Sequence, residues 1–165
     1  MALALSPCCC GALECPDVGD AIITTSGVTD GSNCTTCDTE ANDSFLAVKL
    51  TSIEFPLTSC NDGTVIDISC VWVFYGTQNL WTCSFDYRYP IMQFSFFETS
   101  TGTAYAQLQI GDDIFNDVHT WFMKEVAAFG FPVEFDSGDR QTTSPCTSNN
   151  NACNWSAASI TIDLA

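Results

Sequence analysis

Two runs between residues 65 and 110 decide the fold. The first is Val65-Ile66-Asp67-Ile68-Ser69-Cys70-Val71-Trp72-Val73-Phe74; the second is Trp81-Thr82-Cys83-Ser84-Phe85-Asp86-Tyr87-Arg88-Tyr89. In the first, Ile66, Ile68, Cys70, Trp72 and Phe74 occupy the even positions, with Asp67 and Ser69 between them. In the second the parity reverses: Trp81, Cys83, Phe85, Tyr87 and Tyr89 alternate with Thr82, Ser84, Asp86 and Arg88. Successive strand side chains point to opposite faces, so each run predicts a strand with one buried and one wet face. Gly76-Thr77-Gln78-Asn79 supplies hairpin chemistry between them. Phe94 and Phe96 then lead to a turn at Glu98–Thr103, and Ala104, Ala106, Leu108 and Ile110 return. The pattern is a four-stranded antiparallel meander with an aromatic face.

Outward from this centre, short alternating stretches predict strands at 21–25, 45–55, 131–135 and 160–164. In the second of these, Leu46, Val48 and Leu50 mark one face and Ala47, Lys49 and Thr51 the other; Pro56 ends the run. After Ile110 the period changes. Ile114, Phe115, Val118, Trp121, Phe122, Val126 and Phe129 recur at three- and four-residue spacing, which predicts a helix over about 113–129. Asp112 and Asp113 suit its start, and Gly130 with Pro132 its stop. The lone histidine, His119, falls at the edge of its polar face. Residues 136–152 read as a long polar loop.

At 165 residues the chain is most simply one β-rich domain over 21–165, preceded by an irregular, cysteine-rich arm over 1–20. A hydrophobic content of 46% argues against disorder. Twenty acids against Lys49, Arg88, Lys124 and Arg140 give a net charge of −16. That balance repels phosphate backbones and anionic membranes, so neither nucleic acid nor a membrane is an expected partner. It favours solubility. Divalent cations are a second use for the acids, with Asp112, Asp113 and Asp117 as candidates; the same three also suit a helix start. No run reaches transmembrane length, and Met-Ala-Leu-Ala-Leu-Ser-Pro lacks the basic segment of a signal peptide.

Eleven cysteines, an odd number, stand at Cys8, Cys9, Cys10, Cys15, Cys34, Cys37, Cys60, Cys70, Cys83, Cys146 and Cys153. Such density means disulfides in an oxidising place, or metal. Adjacent Cβ atoms diverge, so Cys8, Cys9 and Cys10 do not all pair locally and some reach the core or a neighbouring chain; an intrachain staple for the terminus, an intersubunit cross-link and metal or cluster ligation are the alternatives. Cys34-Thr35-Thr36-Cys37 is a C-x-x-C, but no strand–helix–strand pattern of a thioredoxin surrounds it, and position 38 is Asp rather than the His of a haem motif. Zinc or iron–sulfur ligation by thiolates stays open beside disulfide formation.

Catalytic constellations are missing. The chain has one histidine, no G-x-S-x-G and no glycine-rich phosphate cradle with lysine, so a non-enzyme is expected. Gly31-Ser32-Asn33-Cys34-Thr35-Thr36-Cys37, Cys70-Val71-Trp72 and Cys153-Asn154-Trp155 with its alternating last strand resemble a class of small cysteine-rich β-domains of unassigned function. These are encoded by planctomycete-type bacteria and some of their phages. The resemblance covers residues 30–165 and implies no catalytic residues; the 113–129 segment and the Cys8–Cys10 cluster depart from it.

The expected fold is therefore mainly β, an antiparallel sandwich or jelly-roll with one helix at about 113–129. The expected function is structural: a virion or extracellular-surface subunit, such as a capsid decoration, tail or fibre protein. It would self-assemble or join other structural proteins, with no cofactor. A thiolate metal module is the alternative, and a glycan- or receptor-binding sandwich rests on fold analogy alone.

Overall fold

In the computed structural model, residues 14–31, 34–50, 57–58, 65–66, 71–75, 91–99, 101–111, 118–144, 146–148 and 153–165 are described. In chain order the elements are β1 (Ala21–Ser26), β2 (Thr29–Asp30), α1 (Cys37–Glu40), β3 (Ser44–Leu50), β4 (Leu57–Thr58), β5 (Val65–Ile66), β6 (Val71–Phe74), β7 (Met92–Glu98), β8 (Ala104–Gly111) and β9 (Val118–Glu125). There follow β10 (Val133–Phe135), a 3-10 turn (Ser137–Asp139), β11 (Thr142–Thr143), β12 (Cys146–Thr147), β13 (Cys153–Asn154) and β14 (Ser159–Leu164).

Eight of these strands form one antiparallel sheet in the order β10-β14-β1-β3-β6-β7-β8-β9. The sheet nearly closes on itself. All eight strands contribute to a single buried cluster that includes Ile23, Phe45, Trp72, Phe94, Phe96, Leu108, Phe122, Phe135, Ile160 and Ile162. Across the gap between the first and last strands, the Phe122 and Phe135 ring centroids are 6.0 Å apart. Aromatic rings fill the interior at the spacing that edge-to-face and tilted pairs prefer. Trp72 meets Phe94 at 5.8 Å, Phe96 at 5.9 Å and Phe131 at 5.1 Å, and Phe94 meets Phe96 at 5.0 Å.

The expected parity holds where it places aromatic residues inside. Trp72, Phe94 and Leu108 are register partners across β6, β7 and β8, and Phe96 lies opposite Ala106. The turn expected at Glu98–Thr103 is present: Thr99 N donates to Thr103 O at 2.9 Å, and Gly102 takes φ 90°. Strands also form at β1, β10 and β14, close to their expected bounds. β6 pairs directly with β7; the strand expected at Trp81–Tyr89, with the Gly76–Asn79 turn, lies outside the described residues.

Three expectations are corrected. The helix over 113–129 is not formed: residues 118–125 are β9, paired with β8 through seven register positions, and Val126–Phe129 follow as loop. The helix of the described chain is the single turn α1. Apolar side chains occur on both faces of β9, which hides a two-residue period and leaves spacings of three and four. Second, β3 is turned over. Phe45 and Ala47 face the core, whereas Leu46 is 50% and Val48 39% exposed. Third, the central strands have no wet face. Val71 and Val73 are fully buried, as are Gln93, Ser95 and Gln107 on the outer side of β7 and β8.

The segment before β1 is strapped to the sheet. Lys49 Nζ donates to Pro16 O at 2.7 Å and Val18 O at 3.0 Å, and sits 5.6 Å from the Trp72 ring centroid. Trp72 Nε1 donates to Gly19 O at 3.0 Å. The indole thus keeps a partner for its one donor while its body fills the core.

Candidate functional site

The cysteines are the densest chemistry in the sequence, and two sheet-external elements position them. After β1, Gly27 takes φ 76°, which lets the chain turn where a Cβ would meet Ala157 O at 2.6 Å. β2 then pairs with β13, placing Asp30 opposite Cys153. α1 starts at Cys37, and Asn42 ties it back: its amide donates to Val28 O at 2.8 Å and Asp38 O at 3.0 Å, and its Oδ1 accepts from Val28 N at 2.8 Å. Thr25 Oγ1 donates to Ala41 O from the β1 side. In this frame Cys37 and Cys153 form a disulfide, with Cα atoms 5.7 Å apart and a separation of 116 positions in sequence. The two members of the C-x-x-C therefore do not share a bond.

Cys15, Cys34 and Cys146 are disulfide-bonded as well. All five cysteines of the described residues are thus oxidised. Cys34, Cys37, Cys146 and Cys153 are buried. A cysteine in a disulfide has no thiolate to offer a metal. Among the described residues, no group of three or more His, Cys, Asp or Glu is placed to hold a metal ion. Cys8, Cys9, Cys10, Cys60, Cys70 and Cys83 lie outside the described residues, as do Asp112, Asp113 and Asp117.

A second feature has no signal in the sequence: the seam where the sheet fails to close. Lys124 on β9 reaches across to β10, where Nζ donates to Glu134 O at 2.9 Å. On one side of this bridge is a groove of about 380 Å³ lined by Lys124–Ala128, Gly130 and Pro132–Glu134. On the other is a smaller one of about 210 Å³, lined by Lys124, Glu134–Asp136 and Ser159–Thr161. The seam forms because β10 has three residues and pairs with β14 alone, so its outer edge meets β9 through a side chain. Short strands and edge lysines are common ways of protecting an unpaired sheet edge.

The loop after β10 covers the other part of the β9 edge. Ser148 Oγ accepts from Trp121 N at 2.8 Å, and Gln141 N donates to Trp121 O at 2.9 Å. Asp136 caps the intervening 3-10 turn by accepting from Gly138 N at 2.8 Å. Desolvation lowers the Arg140 guanidinium from its ordinary pKa. On the outer face of β7 and β8, Gln93 Nε2 donates to Gln109 Oε1 at 3.1 Å, whereas the neighbouring Ser95 Oγ is buried without a hydrogen-bond partner.

No helix among the described residues is long and apolar enough to cross a membrane. Compared with family models, curated proteins and solved structures, the chain matches none.

Proposed function

We propose that this protein is a disulfide-stabilised, non-enzymatic structural subunit of a virion or extracellular surface assembly, such as a capsid decoration, tail or fibre. The observation that carries the reading is the oxidation of every described cysteine, with one bond closing a 116-residue span. Disulfides at this density persist where the surroundings are oxidising, as on virions and cell surfaces. The competing module, a thiolate zinc or iron–sulfur site, needs reduced cysteines.

The test is intact mass under non-reducing conditions with and without alkylation, combined with mass spectrometry of purified particles and cell-surface fractions from the source. Alkylation-resistant cysteines and presence in an assembled fraction are expected. Free thiols with a stoichiometric metal mass would replace this reading with the metal module. Absence from every assembled fraction would remove it.

A further inference from the structure

The five described cysteines are all disulfide-bonded, yet they are not equally protected. Cys37 and Cys146 are 0% exposed, and Cys34 and Cys153 are 2% exposed. Cys15 is half-buried and packs against the core cluster from outside. It belongs to the strap that precedes β1, residues 14–20, of which none is fully buried.

The strap has two kinds of fastening besides the Cys15 bond. At its β1 end, Trp72 Nε1 donates to Gly19 O at 3.0 Å, Lys49 N donates to Asp20 Oδ1 at 2.9 Å, and Ala165 N donates to Asp20 O at 3.0 Å. These partners stand on or beside the strands of the sheet itself. Further out, a single ammonium on a long side chain, Lys49 Nζ, takes Pro16 O at 2.7 Å and Val18 O at 3.0 Å. Both acceptors are at part-exposed positions, where water competes for them and the net worth of each bond is small. The covalent bond at Cys15 is therefore what fixes residues 14–18.

We propose that the Cys15 disulfide is a redox-sensitive clasp. A small thiol such as glutathione opens it in the folded protein and releases residues 14–18, while the Cys37–Cys153 bond and the eight-stranded sheet persist. Exchange needs a thiolate to reach a disulfide sulfur, so its rate follows access. The strap offers that access; the four buried sulfurs offer it only after local unfolding. In the reaction, a thiolate of the reductant attacks the Cys15 bond, forms a mixed disulfide and expels the other protein sulfur as a thiolate. A second reductant thiolate attacks the mixed disulfide and frees the remaining protein sulfur. Both protein thiolates take up the protons that the two reductant thiols gave up, and the reductant leaves as its own disulfide. The clasp stands independently of the assembly reading. Within an assembly, passage from oxidising surroundings to a reducing cytosol is the change that opens it.

Differential alkylation tests this on the full chain, purified without reductant. The native protein is exposed to reduced glutathione for graded times and alkylated; the remaining bonds are then reduced and labelled with a heavier reagent, and the peptides are mapped by mass spectrometry. Cys15 is expected to lose its bond at least about tenfold faster than Cys34, Cys37, Cys146 or Cys153, because reaching those four requires an opening step. In the same samples, amide hydrogen exchange rises in residues 14–18 and stays unchanged in β1, β3 and β14. Equal rates at all five cysteines, or a slower Cys15, overturn the proposal. So does unchanged exchange in residues 14–18 once Cys15 is alkylated, or a rise that spreads through the sheet. If Cys15 opens first but the protein occurs in no assembled fraction, the clasp stands and the assembly reading falls. If the protein occurs in particles but Cys15 is no faster, the clasp falls and the assembly reading stands.

Discussion

Phe94 and Leu46 show how differently two large apolar side chains are used here. Phe94 is fully buried and meets the rings of Trp72, Phe96, Phe131 and Phe135. Leu46 is half exposed on the outer face of β3. Phe94→Ala should therefore cost about 3–5 kcal/mol, the sum of lost transfer energy and a cavity its neighbours cannot fill. Leu46→Ala should change stability by no more than about 0.5 kcal/mol, as surface substitutions do. Denaturant midpoints for the two variants check this, and equal effects would contradict the facing of β3. The alternation in residues 44–50 was legible as a strand but not its orientation. Both sets of residues offer bulk, Phe45 and Ala47 on one side and Leu46 and Val48 on the other. Lys49 lies on the inward side, where its ammonium is satisfied by Pro16 O and Val18 O and stands over the Trp72 ring.

At the scale of elements, α1 and β13 are small. One is a single turn and the other two residues long. Such pieces do not persist on their own; the disulfide between Cys37 and Cys153 holds them together. Closing a loop of 116 residues removes much of the unfolded chain's freedom. The double variant Cys37→Ser, Cys153→Ser should lose about 2–5 kcal/mol on that account. The loss appears as a lower midpoint in denaturant, with the midpoint of wild type under reducing conditions falling at least as far. An unchanged midpoint would show that the bond is incidental. The sequence offered the cysteines but not this pairing, because C-x-x-C spacing draws attention to a local bond while the partner is far away in the chain. β9 was illegible for a related reason. Its pattern is set by what covers each face, and a strand covered on both sides loses its two-residue period. The seam was invisible throughout, since it depends on β10 being short and on the curvature of the whole sheet.

For the molecule as a whole, the four cationic residues do little to balance twenty acids. Self-repulsion then opposes the compact state. The Debye length falls from about 30 Å at 0.01 M salt to about 10 Å at 0.1 M, from longer than a small domain's radius to shorter. The melting temperature should rise as sodium chloride is increased across that range, with the largest gain at the low end. Differential scanning calorimetry checks this, and a flat or falling curve would mean that the carboxylates are already neutralised locally.

Asp20 and Ala165 meet at one corner of the sheet, where Ala165 N donates to Asp20 O at 3.0 Å beside the Ala21–Leu164 pair. The mechanical meaning of that corner is simple. Tension applied between Asp20 and Ala165 is carried by the antiparallel β1–β14 pair that begins beside them, whose six register positions are loaded from that end inward.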